Sequence, residues 1–519
     1  MAKKEFHKVY NAQSRHSRMP TQTQILMGTM GLAALLLLLE LSMLRGSGIP
    51  DDYLHTETEE GKSFYPDEIL ESKWADKASE ADLVHLSLLH EACLTYKDSV
   101  VPWTYGLDGK VAKPSVLIDK DDPDLLEKIR QCPDVDIFLP LGIRGHGYCE
   151  DSIAYTKCAP LNDTVLESRM LPAWAIEMKY VDKKTGETFS YHDLCPKTPM
   201  IFLNHYWDGI PDSPDWPKSK PLYLMPNIEM YELKAEHYWG VDVVLCKTAI
   251  CARRVQMWYQ QEGNPRNTKV LYTRHTSSDV ATLARTRLGH DSIKPKNWSD
   301  VQFIHAVGTS VQKGTKPVLN CWLTRPDFPP LHVYMHEDVY NGNLKNHYEK
   351  RIRGTQVNMH VGRASADEFG KMIAESAFFM CTSLQEGYGH YINQARASGA
   401  VIISTDLPPM NEFLTPESGV LIPVKRWAFQ EQMLGGRYNG EHGLKDVEGF
   451  TADLDGVGVC KAVEKVLSMT PTEREAMAAR AKKQYFIDLN FFASKMKELR
   501  EIARRGEAPR LRTGEEDTV

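Results

Sequence analysis

The chain lacks most of the features that settle a function at once. It has no excess of positive charge: 62 Lys and Arg stand against 69 Asp and Glu, a net charge of −7. Nothing in it forms the basic stripe that a nucleic-acid partner requires. Ten cysteines permit disulfides but show neither a tight framework nor zinc spacing; Cys246 and Cys251 read as core residues rather than metal ligands. No carboxylate-rich cluster suited to a metal is evident. Aromatic residues are not scarce, at 10 Trp, 22 Tyr and 16 Phe, which excludes disorder over most of the length. At 519 residues the chain suits two or three domains.

Long apolar runs are also rare, and the one present stands out. Residues Ile25–Leu44, ILMGTMGLAALLLLLELSML, carry a single charge, Glu40, close to one end. As a helix rising 1.5 Å per residue, such a run spans the hydrocarbon core of a bilayer. The 24 residues before it and its length set it apart from a cleaved signal peptide. Lys3, Lys4, Lys8, Arg15 and Arg18 precede it, whereas Asp51, Asp52, Glu57, Glu59 and Glu60 follow with only Arg45 and Lys62. The positive-inside rule then places residues 1–24 in the cytosol and the large C-terminal part across the membrane. The sequons at Asn162 and Asn297 agree with a secretory lumen. The expectation is a single-pass type II protein of the Golgi or ER membrane.

After a polar stem over 45–75, strand-like and helix-like pieces alternate, the pattern of a parallel sheet covered by helices. Ser115–Asp119, Val135–Pro140, Met200–Leu203 and Val241–Leu245 read as strands, and Pro123–Gln131 as a helix. The strand at 135 runs into a glycine-rich turn, Gly142, Gly145 and Gly147. A second set begins near 300, with strands expected at Phe303–Val307, His332–Met335, Asn358–Val361, Phe378–Thr382 and Ala400–Thr405. Thr315–Leu323 reads as a helix, Ser365 to Glu368 is a capping box, and Gly399 ends a helix over 390–398. No repeat links the two sets. The division expected is 76–295 for an N-terminal domain, 296–470 for a C-terminal domain, 471–506 for closing helices and 507–519 for a disordered tail. In that last region Thr470 and Glu473 form a reciprocal cap, and Phe492, Met496, Leu499 and Ile502 recur at helical spacing.

Two strand-to-helix turns carry the chemistry. Glu386 opens EGYGH, where Gly387 and Gly389 let backbone approach a ligand and the next helix points its N-terminus at the same place. Those N–H groups suit a diphosphate; a carboxylate beside them suits hydroxyl groups, as on a sugar. Lys313, in the turn from Gly308 to Gly314, can meet a phosphate as a point charge. Read singly, each is an ordinary loop residue. Together they describe one cleft for an anionic leaving group and a polyol.

From residue 200 to 500 the chain resembles the group 1 glycosyltransferases (glycosyltransferase family 4), retaining enzymes of the two-Rossmann GT-B fold. The resemblance lies in VGTSVQKG, 307–314, and in EGYGHYINQARASGAVIISTDLPPMNEF, 386–413. It implies an α/β protein of two facing doubly wound domains, with a C-terminal helix crossing back to the first. It also implies a metal-independent hexosyltransferase-type enzyme with a nucleotide sugar as co-substrate and no other cofactor. Glu386 would hold donor-sugar hydroxyls, Gln394 the ribose, and Lys313 the leaving diphosphate. Gly308, Gly387, Tyr388, Gly389 and Glu412 would complete the donor site. The sequence departs from the family at Gln394, where a glutamate is usual, and ahead of the Lys-Gly turn, where Thr309 or Ser310 stands near the place of a usual arginine. Arg274 is a candidate for the missing cation. His205 is similar in position to a family histidine that approaches the donor sugar, with His275 as a rival. Glu229 reads equally as acceptor-facing or structural. The acceptor expected is a glycan, glycoprotein or glycolipid. A catalytically degenerate scaffold for other transferases is the alternative.

Overall fold

The computed structural model describes residues 65, 79–107, 114–145, 147–156, 166–204 and 209–505. Among these, no helix is long and apolar enough to cross a membrane; the Ile25–Leu44 run, Asn162, Cys158, His205 and the 507–519 tail lie outside them.

Two sheets organise the molecule. The first holds β1 (Val101–Pro102), β2 (Val135–Phe138), β3 (Ser168–Leu171), β4 (Met200–Leu203), β5 (Leu222–Met225), β6 (Val243–Cys246) and β7 (Lys269–Tyr272), in the order β1-β3-β2-β4-β5-β6-β7. All pairings are parallel except that of the edge strand β1. The second holds β8 (Phe303–Gly308), β9 (Leu331–Met335), β10 (Val357–Val361), β11 (Phe378–Cys381), β12 (Val401–Asp406) and β13 (Val420–Pro423). Its order, β10-β9-β8-β11-β12-β13, is parallel throughout. This is the doubly wound 3-2-1-4-5-6 order, whose direction reverses between β8 and β11. Central strands such as β2, β4 and β11 are buried at every position, as strands covered on both faces must be.

The helices that bear on the site are α1 (Glu80–Thr95), α2 (Tyr148–Thr156), α3 (Ala249–Glu262), α4 (Val280–Leu288), α5 (Thr315–Thr324), α6 (Ala366–Glu375), α7 (His390–Ser398), α8 (Gly456–Ser468) and α9 (Pro471–Arg505). Local chemistry sets their ends. Ser365 and Glu368 form the capping box of α6. Gly389 (φ +111°) and Gly399 (φ +69°) bound α7 in conformations that L side chains rarely adopt. The Glu473 carboxylate accepts from the Thr470 amide at 2.7 Å. Helix α9 then crosses between the lobes. Its Met477 and Ala478 join the core of the second sheet, whereas Phe492, Met496 and Leu499 join that of the first.

Two differences from the sequence reading stand out. Ser115–Asp119 is not a strand. Residues Pro114–Val116 form a 3-10 turn, and only Ile118 bridges back, to Val100. Proline at the start of the segment fixes φ and lacks the N–H that a ladder needs. Cys246 and Cys251 are buried in the core, as expected, but are bonded to each other. Three further disulfides join Cys93 to Cys149, Cys132 to Cys195 and Cys321 to Cys460. Partners 56, 63 and 139 residues apart leave no local spacing to read. Cys381 is buried and free.

Candidate active site

In a doubly wound sheet, ligands bind where strand order reverses, beyond the carboxyl ends. The turns after β8 and β11 flank that point in the second lobe, and they carry Lys313 and Glu386. They are stitched together by backbone: Leu384 N donates to Gln312 O at 2.7 Å, and Thr382 Oγ1 donates to Lys313 O at 3.1 Å. Gly314 makes the approach possible. Its φ is +66°, and a β-carbon there would collide with the Thr382 carbonyl. The Lys313 ammonium consequently pairs with Glu386 Oε1, which also accepts from the Ser383 hydroxyl. Tyr391 lies under the ammonium, its ring centroid 4.0 Å away. A cation and an acid from two separate turns therefore meet at the switch point.

The first lobe closes against them. A β-carbon built on Gly387 would sit 2.7 Å from Glu229 Oε1 and closer still to Asn227 Oδ1, so the turn packs closely against the side chains of the turn that follows β5. His390, the first residue of α7, reaches across to Asp151 of α2 at 2.9 Å, and Ser277 holds its other ring nitrogen at 2.8 Å. Asp151 also receives the Lys247 ammonium, at 2.7 Å. Burial would raise Asp151; Lys247 and His390 overcome it and hold the carboxyl well below the usual range. Asp151, His275 and His390 converge closely enough to hold a metal ion. The Lys247 ammonium already occupies that neighbourhood and would repel one.

Gln394 is buried, and its amide donates to Glu150 Oε1 at 2.8 Å. A buried carboxylate of the opposite lobe thus sits against the Gln394 amide. Burial would raise Glu150, but His90, His390 and the hydroxyl and amide of Ser278 together lower it. Glu412 takes a different part: its carboxylate accepts from the N–H groups of Ala249 and Ile250, at 2.7 and 2.9 Å, and so caps α3 of the first lobe. Glu412→Ala should cost about 0.5–2 kcal/mol, the range for losing a side-chain cap at a helix N-terminus, and lower the melting temperature accordingly.

Three candidates face inward. Tyr388 is buried, its hydroxyl donating to the His275 carbonyl and its ring 4.9 Å from the His275 ring. His275 is also fully buried, and burial first, then His390 and Lys247, hold it neutral against the pull of Asp151. Arg274 is engaged by Asp488 of α9 at 2.6 Å and stacks 4.6 Å from the Tyr65 ring. Gly308 (φ +61°) lies instead on a cavity of about 820 Å³ between the lobes. Tyr334, His360 and Arg363 line it from one side, and Lys97 and Arg144 from the other. The Tyr334 and His360 rings are stacked, with centroids 4.3 Å apart. Its volume falls in the range of small-molecule sites. Sequence reasoning singled out neither this lining nor the Glu150, Asp151 and Lys247 cluster.

No family model matches the chain. No curated protein matches it either. Among solved structures it is similar to a sucrose-phosphate synthase from Thermosynechococcus elongatus, at 12% identity and a TM-score of 0.43, over 72% of this chain and 88% of the other. It is also similar to HepE of Anabaena in complex with UDP and glucose, at 14% identity and a TM-score of 0.36, over 59% and 77%. A glycosyltransferase from Rickettsia africae shows 10% identity and a TM-score of 0.37, over 59% and 77%. Two parallel α/β lobes, a cleft at the switch point of the second and a terminal helix that returns to the first make this a GT-B-like protein.

Proposed function

We propose that the chain is a membrane-anchored retaining glycosyltransferase that moves a sugar from a nucleotide sugar to a glycan, glycoprotein or glycolipid. The observation that carries this reading is the meeting of Lys313 and Glu386 at the switch point of the second lobe. In this reading the nucleoside occupies the cavity lined by Tyr334 and His360. The diphosphate lies against Lys313 and the N-terminus of α7. Glu386 receives sugar hydroxyls. As the bond to the diphosphate breaks, Lys313 and the helix N–H groups meet the charge that develops, which is electrostatic catalysis without a need for metal. In this reading the ribose lies near the buried pair of Gln394 and Glu150.

The anchor is the Ile25–Leu44 run, with the two lobes in the Golgi or ER lumen. Four disulfides support an oxidising compartment, and Asn297 of the second sequon is exposed. Full-length protein made in a secretory host should lose mass on endoglycosidase treatment, and Asn297→Gln should reduce that loss. A resistant wild type would point to the cytosolic face.

The test of activity is release of nucleoside diphosphate from UDP-glucose, UDP-galactose, UDP-N-acetylglucosamine and GDP-mannose. Release from at least one is expected, and none from the Glu386→Ala variant above a small residue. The degenerate-scaffold reading draws on the way Gln394 is spent on Glu150 rather than left open. Calorimetry separates the two, because a scaffold binds no nucleoside diphosphate.

A further inference from the structure

We propose that Glu229 binds the attacking hydroxyl of the acceptor and takes its proton. The proposal rests on the glycosyl-transfer reading and assigns to that site a residue for its second substrate. Strand β5 ends at Met225, and the turn after it brings Glu229 to the boundary between the lobes. There its Oε1 lies against Gly387, one residue from Glu386: a β-carbon built on that glycine would sit 2.7 Å from it. Its Oε2 is closed off from solvent and has no hydrogen-bond partner among the described residues. A buried carboxyl oxygen without a donor is costly, and native proteins seldom leave one without cause. An acceptor hydroxyl would supply that donor.

The surroundings distinguish Glu229 from the other acids of the cleft. The charged groups that act on it are Lys247 from the turn after β6, Glu386 from the turn after β11 and Asp151 from α2. Lys247 is committed to Asp151 and Asn227, and Glu386 to Lys313. Gln432 reaches only the Glu229 backbone carbonyl, at 3.1 Å. Burial first, with Glu386 and Asp151 adding to it against Lys247, lifts the Glu229 carboxyl to about 7. Two carboxyls in one cleft thus differ in character. Glu386 is paired with the Lys313 ammonium, whereas Glu229 can exchange a proton near neutral pH, the condition for a general base.

In the step itself, the Glu229 carboxylate removes the proton of the acceptor O–H as that oxygen bonds to C1 of an oxocarbenium-like sugar on the face from which the phosphate departs, so that configuration is kept. The C1–O bond to the phosphate breaks, and its electron pair leaves with the nucleoside diphosphate beside Lys313. Because base strength depends on the ionised form, activity should rise with pH through about 7.

The test uses the detergent-solubilised full chain, the fastest donor of the panel above, water as acceptor and sodium azide as a second nucleophile. Glu229→Gln should slow hydrolysis by roughly 10²-fold or more, the usual worth of a general base, and abolish the acid limb of the pH profile. Its affinity for the nucleoside diphosphate should stay within about twofold, showing the cleft intact. Azide has no proton to lose, so glycosyl azide should form at a rate close to that of wild type. Glu229→Asp, which keeps a carboxyl, should keep the limb. A Glu229→Gln protein that hydrolyses donor at the wild-type rate, keeps the limb or is not restored by azide overturns the proposal alone. So does loss of the limb in Glu229→Asp. Wild-type protein that neither binds a nucleoside diphosphate nor hydrolyses any donor overturns the glycosyltransferase reading with it.

Discussion

Glu386→Ala is expected to lower turnover of the nucleotide sugar by roughly 10²–10³-fold, the loss seen when one preorganised group of a transition-state site is removed. The acid comes from the turn after β11, where Ser383 and Lys313 fix its Oε1. An alanine removes the acceptor for sugar hydroxyls yet leaves Lys313 over the Tyr391 ring, still facing the diphosphate. The effect should therefore fall on kcat, with affinity for the nucleoside diphosphate little changed. Glu386→Gln retains the shape and can still accept a hydrogen bond from Ser383, so its loss should be smaller. A melting temperature near wild type would show that the fold persists. Equal activity in the alanine variant would remove Glu386 from the chemistry.

Asp488→Ala is expected to destabilise the protein by about 3–5 kcal/mol, the cost of leaving buried charge uncompensated. Asp488 lies on α9, buried between Arg274 at 2.6 Å and Arg396 at 2.7 Å, and accepts from the Tyr65 hydroxyl at 2.7 Å. Both guanidinium groups are buried as well. Burial alone would lower Arg274 and Arg396, and Asp488 with the neighbouring tyrosines reverses this and keeps both charged. The three charges come from the segment after β7, from α7 and from α9, so the network fastens the crossing helix to both lobes. Chemical denaturation reads the loss directly. A change below about 1 kcal/mol, the scale of an exposed ion pair, would mean that the network does not hold the lobes.

The second lobe was legible because its signals are local. Helix α7 runs from His390 to Ser398 as read, since glycines at 389 and 399 mark both ends within ten residues. The capping boxes at Ser365 and Thr470 needed only four residues each. In the first lobe the signals are long-range. Strand β3, Ser168–Leu171, escaped notice because Arg169 breaks its apolar run; in the fold that arginine pairs with Asp136 of the adjacent strand at 2.7 Å. Lys247 and Asp151 are 96 residues apart, and neither residue type announces a buried partner. Arg274 reads from position alone as a candidate phosphate cation, but its partner Asp488 lies more than 200 residues on. Tyr388 and Glu412 show the same limit. Being next to a glycine turn or a strand end does not reveal which way a side chain faces, and here one turns into the core and the other caps a helix of the opposite lobe.

Calorimetric titration of UDP and GDP into the detergent-solubilised full chain, wild type and Lys313→Ala, tests the central claim most directly. Saturable binding of at least one diphosphate by wild type, weakened about tenfold or more by loss of the ammonium, is the predicted result. Binding that is absent, or indifferent to Lys313, would contradict a nucleotide-sugar site at the meeting of these two turns.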